Sequence, residues 1–204
     1  GLEENADAPL FFWPSRLDPV QKGPQLLTDI TFKFLDKYAK EGAQIAVVAN
    51  GAYQKPFRDI QAFHGISKRL AVHDFDGRLS QLGFAASDFM LMPSLFEPCG
   101  LPQMQAPIYG SLAVVHNTGG LHDTVEPLDW EKSTGNGFRF DTYDSNGLFW
   151  AMDQAMEFFR QPREIREREV ARIMRESIQR FSHQTCAKEY IKLYEKMLDR
   201  PLVK

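Results

Sequence analysis

The chain has 204 residues, of which 43% are hydrophobic, 25% charged and 12% aromatic, with a formal net charge of −3. Core material is ample, which excludes a disordered chain, and no Lys/Arg run or basic stripe offers itself to nucleic acid. The longest apolar runs fall well short of the roughly 18 residues that a membrane span needs.

The start, Gly1-Leu2-Glu3-Glu4-Asn5, is acidic and lacks the basic and apolar regions of a secretion signal. The first residue is Gly rather than Met, so a fragment of a longer protein is expected. Leu10-Phe11-Phe12-Trp13 reads as a short buried strand, and Leu26, Leu27, Ile30, Phe34 and Tyr38 recur at helical spacing up to Gly42. Gln44 to Ala49 is apolar at nearly every position, as a strand covered on both faces would be. Asn50-Gly51 ends it, and Phe57, Ile60 and Phe63 mark a second helix closed by Gly65. Leu70-Ala71-Val72 and Phe89 to Met92 are further strands, with a helix near Leu79 to Ala86 between them; Leu112 to Val115 is the fifth. Helix-length crossovers between such runs suit parallel pairing, so the pattern predicts a doubly wound, Rossmann-like α/β domain.

Residues 126–143 read as loop-rich, carrying only the short run Gly137-Phe138-Arg139-Phe140. From Ser145 the chain is helical to near its end, with Ser182 as N-cap of a last helix whose Ala187, Tyr190, Ile191, Tyr194 and Leu198 share a face. The charged run Arg163 to Glu169 is expected to be a solvated helix face. Met90, Met92, Met152, Met156 and Cys186 are expected in the core, and His73 and His116 as structural hydrogen bonders on the rim.

In a parallel sheet, ligands bind beyond the carboxyl ends of the strands. Arg16, Asp18 and Lys22-Gly23 follow the first strand, Asn50-Gly51 the second and Asp74-Phe75-Asp76-Gly77 the third. Pro93-Ser94 and Phe96 to Pro102 follow the fourth, and His116 to Leu121 the fifth. A turn such as Cys99-Gly100-Leu101 opening a helix would present backbone N–H groups to phosphate, and Arg16 and Lys22 could add charge-assisted hydrogen bonds to a diphosphate. Neither G-x-G-x-x-G nor a Walker motif occurs. Each piece has a plainer reading. Lys22-Gly23 can be a solvated first turn, Asn50-Gly51 a strand-ending turn and Gly119-Gly120 a tight turn; Cys99 is either a reactive thiol at a helix start or a small packing residue.

Ser15-Arg16-Leu17 with Gln21-Lys22-Gly23, then Pro93-Ser94 with Phe96-Glu97-Pro98-Cys99-Gly100-Leu101, then Thr118-Gly119-Gly120-Leu121 with Asp123-Thr124-Val125, resemble the C-terminal half of bacterial glycogen synthases and plant starch synthases. Phe181-Ser182 with Tyr190 and Leu193-Tyr194 resembles that family's closing helix. The resemblance implies the C-terminal half of a GT-B fold, and a hexosyltransferase that moves glucose from ADP-glucose to the non-reducing end of an α-1,4-glucan with retention. It implies Arg16, Lys22 and Glu97 as catalytic residues, the two cations on the diphosphate and Glu97 near the sugar. Donor-binding roles fall on Cys99, Gly100, Leu101, Pro102, Thr118 and Gly119, with Phe75 near the adenine and Asn50 and Gly51 near the base or ribose. No metal or further cofactor is implied.

Three departures stand out: Pro102 where the synthases usually have Thr, a loop lengthened through Asp18-Pro19-Val20, and His183 in place of Trp. Pro102 lacks the N–H of one expected phosphate donor. The family's N-terminal domain, with its Lys-x-Gly-Gly-Leu loop and acceptor groove, has no counterpart here. The expected organisation is a linker remnant at residues 1–8, a nucleotide-sugar-binding domain at 9–180 and, at 181–204, a helix that packs toward that other domain. Alone, the chain is expected to bind donor weakly and not to extend glucan. A donor domain for another, UDP-linked sugar and a non-catalytic nucleotide-binding module are the alternatives. The expected location is the cytoplasm, or a plastid in a plant or alga, with neither nucleic acid nor membrane as partner.

Overall fold

A computed structural model describes residues 1–202. Six strands form one sheet: β1 Leu10–Trp13, β2 Gln44–Val48, β3 Leu70–His73, β4 Phe89–Met92, β5 Leu112–His116 and β6 Gly137–Phe140. Their order is β3-β2-β1-β4-β5-β6, and every neighbouring pair is parallel. The sixth strand is the short run noted within the loop-rich segment 126–143: Gly137-Phe138-Arg139-Phe140 pairs with Ala113 to His116. Gly137 permits that pairing, since a Cβ there would meet the Ala113 carbonyl oxygen at 2.6 Å.

Apolar residues on both faces of the strands are used on both faces of the sheet. Phe11, Trp13, Ile45, Val47, Phe89, Leu91 and Val114 join one cluster with the helices α1 Pro24–Lys37, α2 Gln54–His64 and α6 Ser145–Phe159. Phe12, Val48, Met90, Met92, Ala113 and Val115 form the other, against α3 Gly77–Ala86 and the short helix α5 Gly119–Thr124. Met152 and Met156 are buried as expected. Between β4 and β5 lies only a four-residue helix, α4 Pro102–Gln105, followed by a 3-10 turn over Ala106–Tyr109. Pro107 and Gly110 account for that brevity, the first by its missing N–H, the second by a left-handed φ of 92°.

The long helix α7 Arg163–Phe181 departs from a uniformly solvated charged face. Arg163 and Glu167 do pair at i,i+4, but Glu169 is fully buried. It accepts from Ser133 Oγ at 2.7 Å, Arg168 Nε at 2.8 Å and Arg172 Nε at 3.0 Å, tying α7 to the loop between α5 and β6. The last helix, α8 His183–Leu198, begins at Ser182, whose hydroxyl accepts from the Thr185 N–H at 3.1 Å. No residue of α8 is buried among the described residues, so Cys186 is exposed rather than in the core. Helical period identifies a face without supplying anything to cover it. Among the described residues no helix is long and apolar enough to cross a membrane.

Candidate functional site

The strand order reverses between β1 and β4, so the loops leaving those two strands diverge to opposite faces and open a crevice at the carboxyl edge of the sheet. The first loop is built around Asp18. Its Oδ1 accepts from the Val20 N–H at 2.9 Å and the Gln21 N–H at 3.2 Å, while its carbonyl accepts from the Lys22 N–H at 2.8 Å. The extra length through Asp18-Pro19-Val20 is therefore a compact turn that delivers Lys22. Gly23 follows with φ 71°, and a Cβ there would stand 2.3 Å from the Pro93 carbonyl oxygen. The Leu95 N–H closes the gap from the other side by donating to the Gln21 carbonyl at 2.8 Å.

Across that seam Lys22 Nζ pairs with Glu97 Oε2, a carboxylate that also accepts from Ser94 Oγ at 3.2 Å. The Lys22 side chain is 13% exposed and that of Glu97 8%, so Lys22 is not a solvated first-turn lysine. Ser94 is buried, and its carbonyl accepts from His116 Nδ1 at 2.8 Å, which makes His116 the structural hydrogen bonder expected of it. Tyr143 packs on the His116 ring at 5.0 Å between centroids, and burial pushes its hydroxyl pKa up.

The glycines after β5 are pressed against the same loop. A Cβ on Gly119 would meet the Glu97 carbonyl oxygen at 2.2 Å, and one on Gly120 the Cys99 carbonyl oxygen at 2.0 Å. The Gly120 N–H donates to the Glu97 carbonyl at 2.8 Å. The pair is more than a tight turn: it lets two backbones touch. Thr118 is the N-cap residue of α5 in extended conformation. Gly100 turns with φ 76°, and Gln103, fully buried, folds its Nε2 back onto the carbonyls of Cys99 at 2.9 Å and Gly100 at 3.1 Å. The N–H groups of Gly100 and Leu101 bond to nothing among the described residues, and Pro102 has none to offer.

One expectation here needs correcting. Because α4 has only four residues and starts at Pro102, it brings little macrodipole, and Cys99 lies outside its N-terminus. Cys99 is exposed, its Sγ 3.4 Å from the Gly100 carbonyl oxygen, so the close-packing role belongs to Gly120.

Arg16, Asn50, Gly51 and Phe75 come together in a cleft of about 650 Å³ between the loops after β1, β2 and β3. Asn50 is both turn and lining: its carbonyl accepts from the Leu17 N–H at 3.0 Å and its Oδ1 from the Phe75 N–H at 2.8 Å. Phe75 is 59% exposed, and Arg16 is exposed with no ion pair or hydrogen bond from its guanidinium among the described residues. Sequence reasoning passed over the parts played by Ser94, Gln103 and Tyr143. Only Ser94 carried a signal, its place directly after β4. Among the described residues no three His, Cys, Asp or Glu side chains gather as a metal site would require.

A parallel Rossmann-like sheet of this order, with a cationic and glycine-lined crevice at its switch point, is the architecture of one half of the GT-B glycosyltransferases. The chain belongs to the family described as glycosyl transferases group 1, whose model matches residues 1–169. It is 35% identical over 203 residues to a glycogen synthase of Thermosipho melanesiensis, covering 98% of this chain and 40% of that one. To a glycogen synthase of Thermotoga maritima it is 38% identical over 200 residues, covering 97% and 39%. Among solved structures it superposes on the catalytic domain of starch synthase IV from Arabidopsis thaliana bound to ADP and acarbose. The TM-score there is 0.78 and the identity 31%, covering 98% of this chain and 41% of the other. The chain thus spans about 40% of the length of the relatives it matches.

Proposed function

We propose that the chain is the donor-binding half of a glycogen or starch synthase, a hexosyltransferase that moves glucose from ADP-glucose to the non-reducing end of an α-1,4-glucan with retention. The observation that carries this reading is the Lys22–Glu97 pair at the switch-point crevice, with Arg16 in the adjoining cleft. The family match and the likeness to a starch synthase bound to ADP support it.

In this reading the diphosphate lies between Arg16 and Lys22. Departure of ADP leaves negative charge on the distal phosphate, and the two cations stabilise it as it forms. Arg16 grips as a planar fork and Lys22 as a point charge, while Gly100 and Leu101 add backbone N–H groups. Thr118 and Gly119 border the phosphates, and Phe75 stacks on the adenine. Glu97 faces the sugar, binding its hydroxyls and stabilising the positive charge that develops at the anomeric carbon. No cofactor beyond the donor enters this scheme.

The reading divides the chain into a linker at 1–8, the donor domain at 9–180 and a closing helix at 181–204. The exposed Tyr190, Leu193, Tyr194 and Met197 of α8 suit a helix that rests on another domain. The glucan is held mainly by that domain, so this chain alone does not elongate it. The full-length protein, supplied with ADP-glucose labelled in the glucose and a glycogen primer, incorporates label, and the Arg16→Ala and Glu97→Gln variants lose incorporation. Incorporation from UDP-glucose but not ADP-glucose would overturn the donor assignment, and elongation by this chain alone would overturn the division of labour.

A further inference from the structure

Two donors share one oxygen of Glu97. Lys22 Nζ and Ser94 Oγ both bond to Oε2, and no other cation pairs with this carboxylate among the described residues. The donors differ in mobility. An ammonium on a four-carbon stem can turn toward a new anion, whereas Ser94 is 1% exposed, sits just past β4 and has its carbonyl held by His116 Nδ1 at 2.8 Å. A diphosphate carries more negative charge than one carboxylate, so when both compete for Lys22 the diphosphate wins. The nearby Glu97 carboxylate repels the same diphosphate until the lysine comes between them. Once Lys22 has moved, the nearly buried carboxylate would be without a partner except for the serine hydroxyl.

We propose that Lys22 changes partner from Glu97 to the donor diphosphate, and that Ser94 is the positioning residue that keeps the Glu97 carboxylate aimed at the sugar after the lysine has left. The proposal rests on the donor-site reading above.

The chain itself tests the exchange. With lysine side-chain nitrogens labelled for NMR and Lys22 assigned through Lys22→Arg, saturating ADP shifts the Lys22 Nζ resonance. Glu97→Gln, which removes the competitor and its repulsion, binds ADP about threefold or more tighter than the wild type. In the full-length protein Ser94→Ala lowers kcat about tenfold while the donor KM stays within about twofold, and Ser94→Thr, which keeps the hydroxyl, recovers part of kcat. Because unfolded protein also lowers apparent kcat at constant KM, kcat is referred to active sites counted by ADP titration, and a mere loss of folding would leave this per-site value at that of the wild type. An Nζ resonance unmoved by bound ADP, weaker ADP binding by Glu97→Gln, or an unchanged kcat in Ser94→Ala would each overturn the proposal. If the wild-type chain binds no ADP at all, the donor-site reading falls and the exchange falls with it.

Discussion

Lys22 and Glu97 stand 75 positions apart in sequence and meet as an ion pair over the point where the strand order of the sheet reverses. The pair joins the loops that leave β1 and β4, so charge at the site and closure of the fold depend on the same contact.

Breaking that pair from one side is therefore expected to cost stability as well as binding. Lys22→Met strands a nearly buried carboxylate and destabilises the chain by about 3 kcal/mol. Glu97→Gln in the same chain recovers most of that loss. Urea unfolding of the two single variants and the double variant measures the coupling; additive losses would show the pair to be energetically idle.

Gly23 makes a backbone prediction. Its φ of 71° and the 2.3 Å approach that a Cβ would make to the Pro93 carbonyl oxygen forbid a side chain without moving the Lys22 loop. Gly23→Ala is expected to destabilise by about 2 kcal/mol or more. Gly65, with φ 64° and open space around it, should cost only the conformational strain, about 1 kcal/mol. Thermal unfolding of both variants separates clash from strain.

Glu169 sets a pH dependence. Burial pushes its carboxyl up, but hydrogen bonds from Ser133, Arg168 and Arg172 outweigh burial and hold it below the usual carboxylate range. A carboxylate depressed in the folded state stabilises fully above its unfolded pKa, and that contribution drains away as pH falls through the folded value. Glu169→Gln should therefore narrow its stability gap to the wild type as pH falls below the ordinary carboxylate range. Denaturant melts at neutral and acid pH measure it, and a gap that widens in acid would contradict the assignment.

Phe75 tests the adenine contact with little risk to the fold, since the residue is 59% exposed. Phe75→Ala should weaken ADP binding up to about tenfold while changing stability by no more than about 0.5 kcal/mol. Calorimetry and thermal unfolding on the same sample report both.

The first five strands were legible because a sheet covered on both faces demands unbroken apolar runs, and Phe89 to Met92 is such a run. The sixth was not, because Arg139 interrupts it; in the fold that side chain reaches over to the carbonyls of His122 and Val125. The rim residues could be read from their places after each strand, and the cleft does gather Arg16, Asn50, Gly51 and Phe75. What Ser94 bonds to could not be read, since its partners Glu97 and His116 are fixed by a turn and by the neighbouring strand β5. Cys186 and Glu169 fail in opposite directions for one reason: periodicity tells which residues share a face, and only tertiary contact tells whether that face is covered. The one-turn α4 shows the same limit, because Gly100-Leu101-Pro102 announces a helix start without its length.

The most direct test of the account is a calorimetric titration of this chain with ADP and with UDP, repeated on Arg16→Ala and Lys22→Ala. The account predicts that ADP binds more tightly than UDP and that each substitution weakens ADP about tenfold or more. An ADP affinity equal to that for UDP, or one that survives both substitutions, would contradict it.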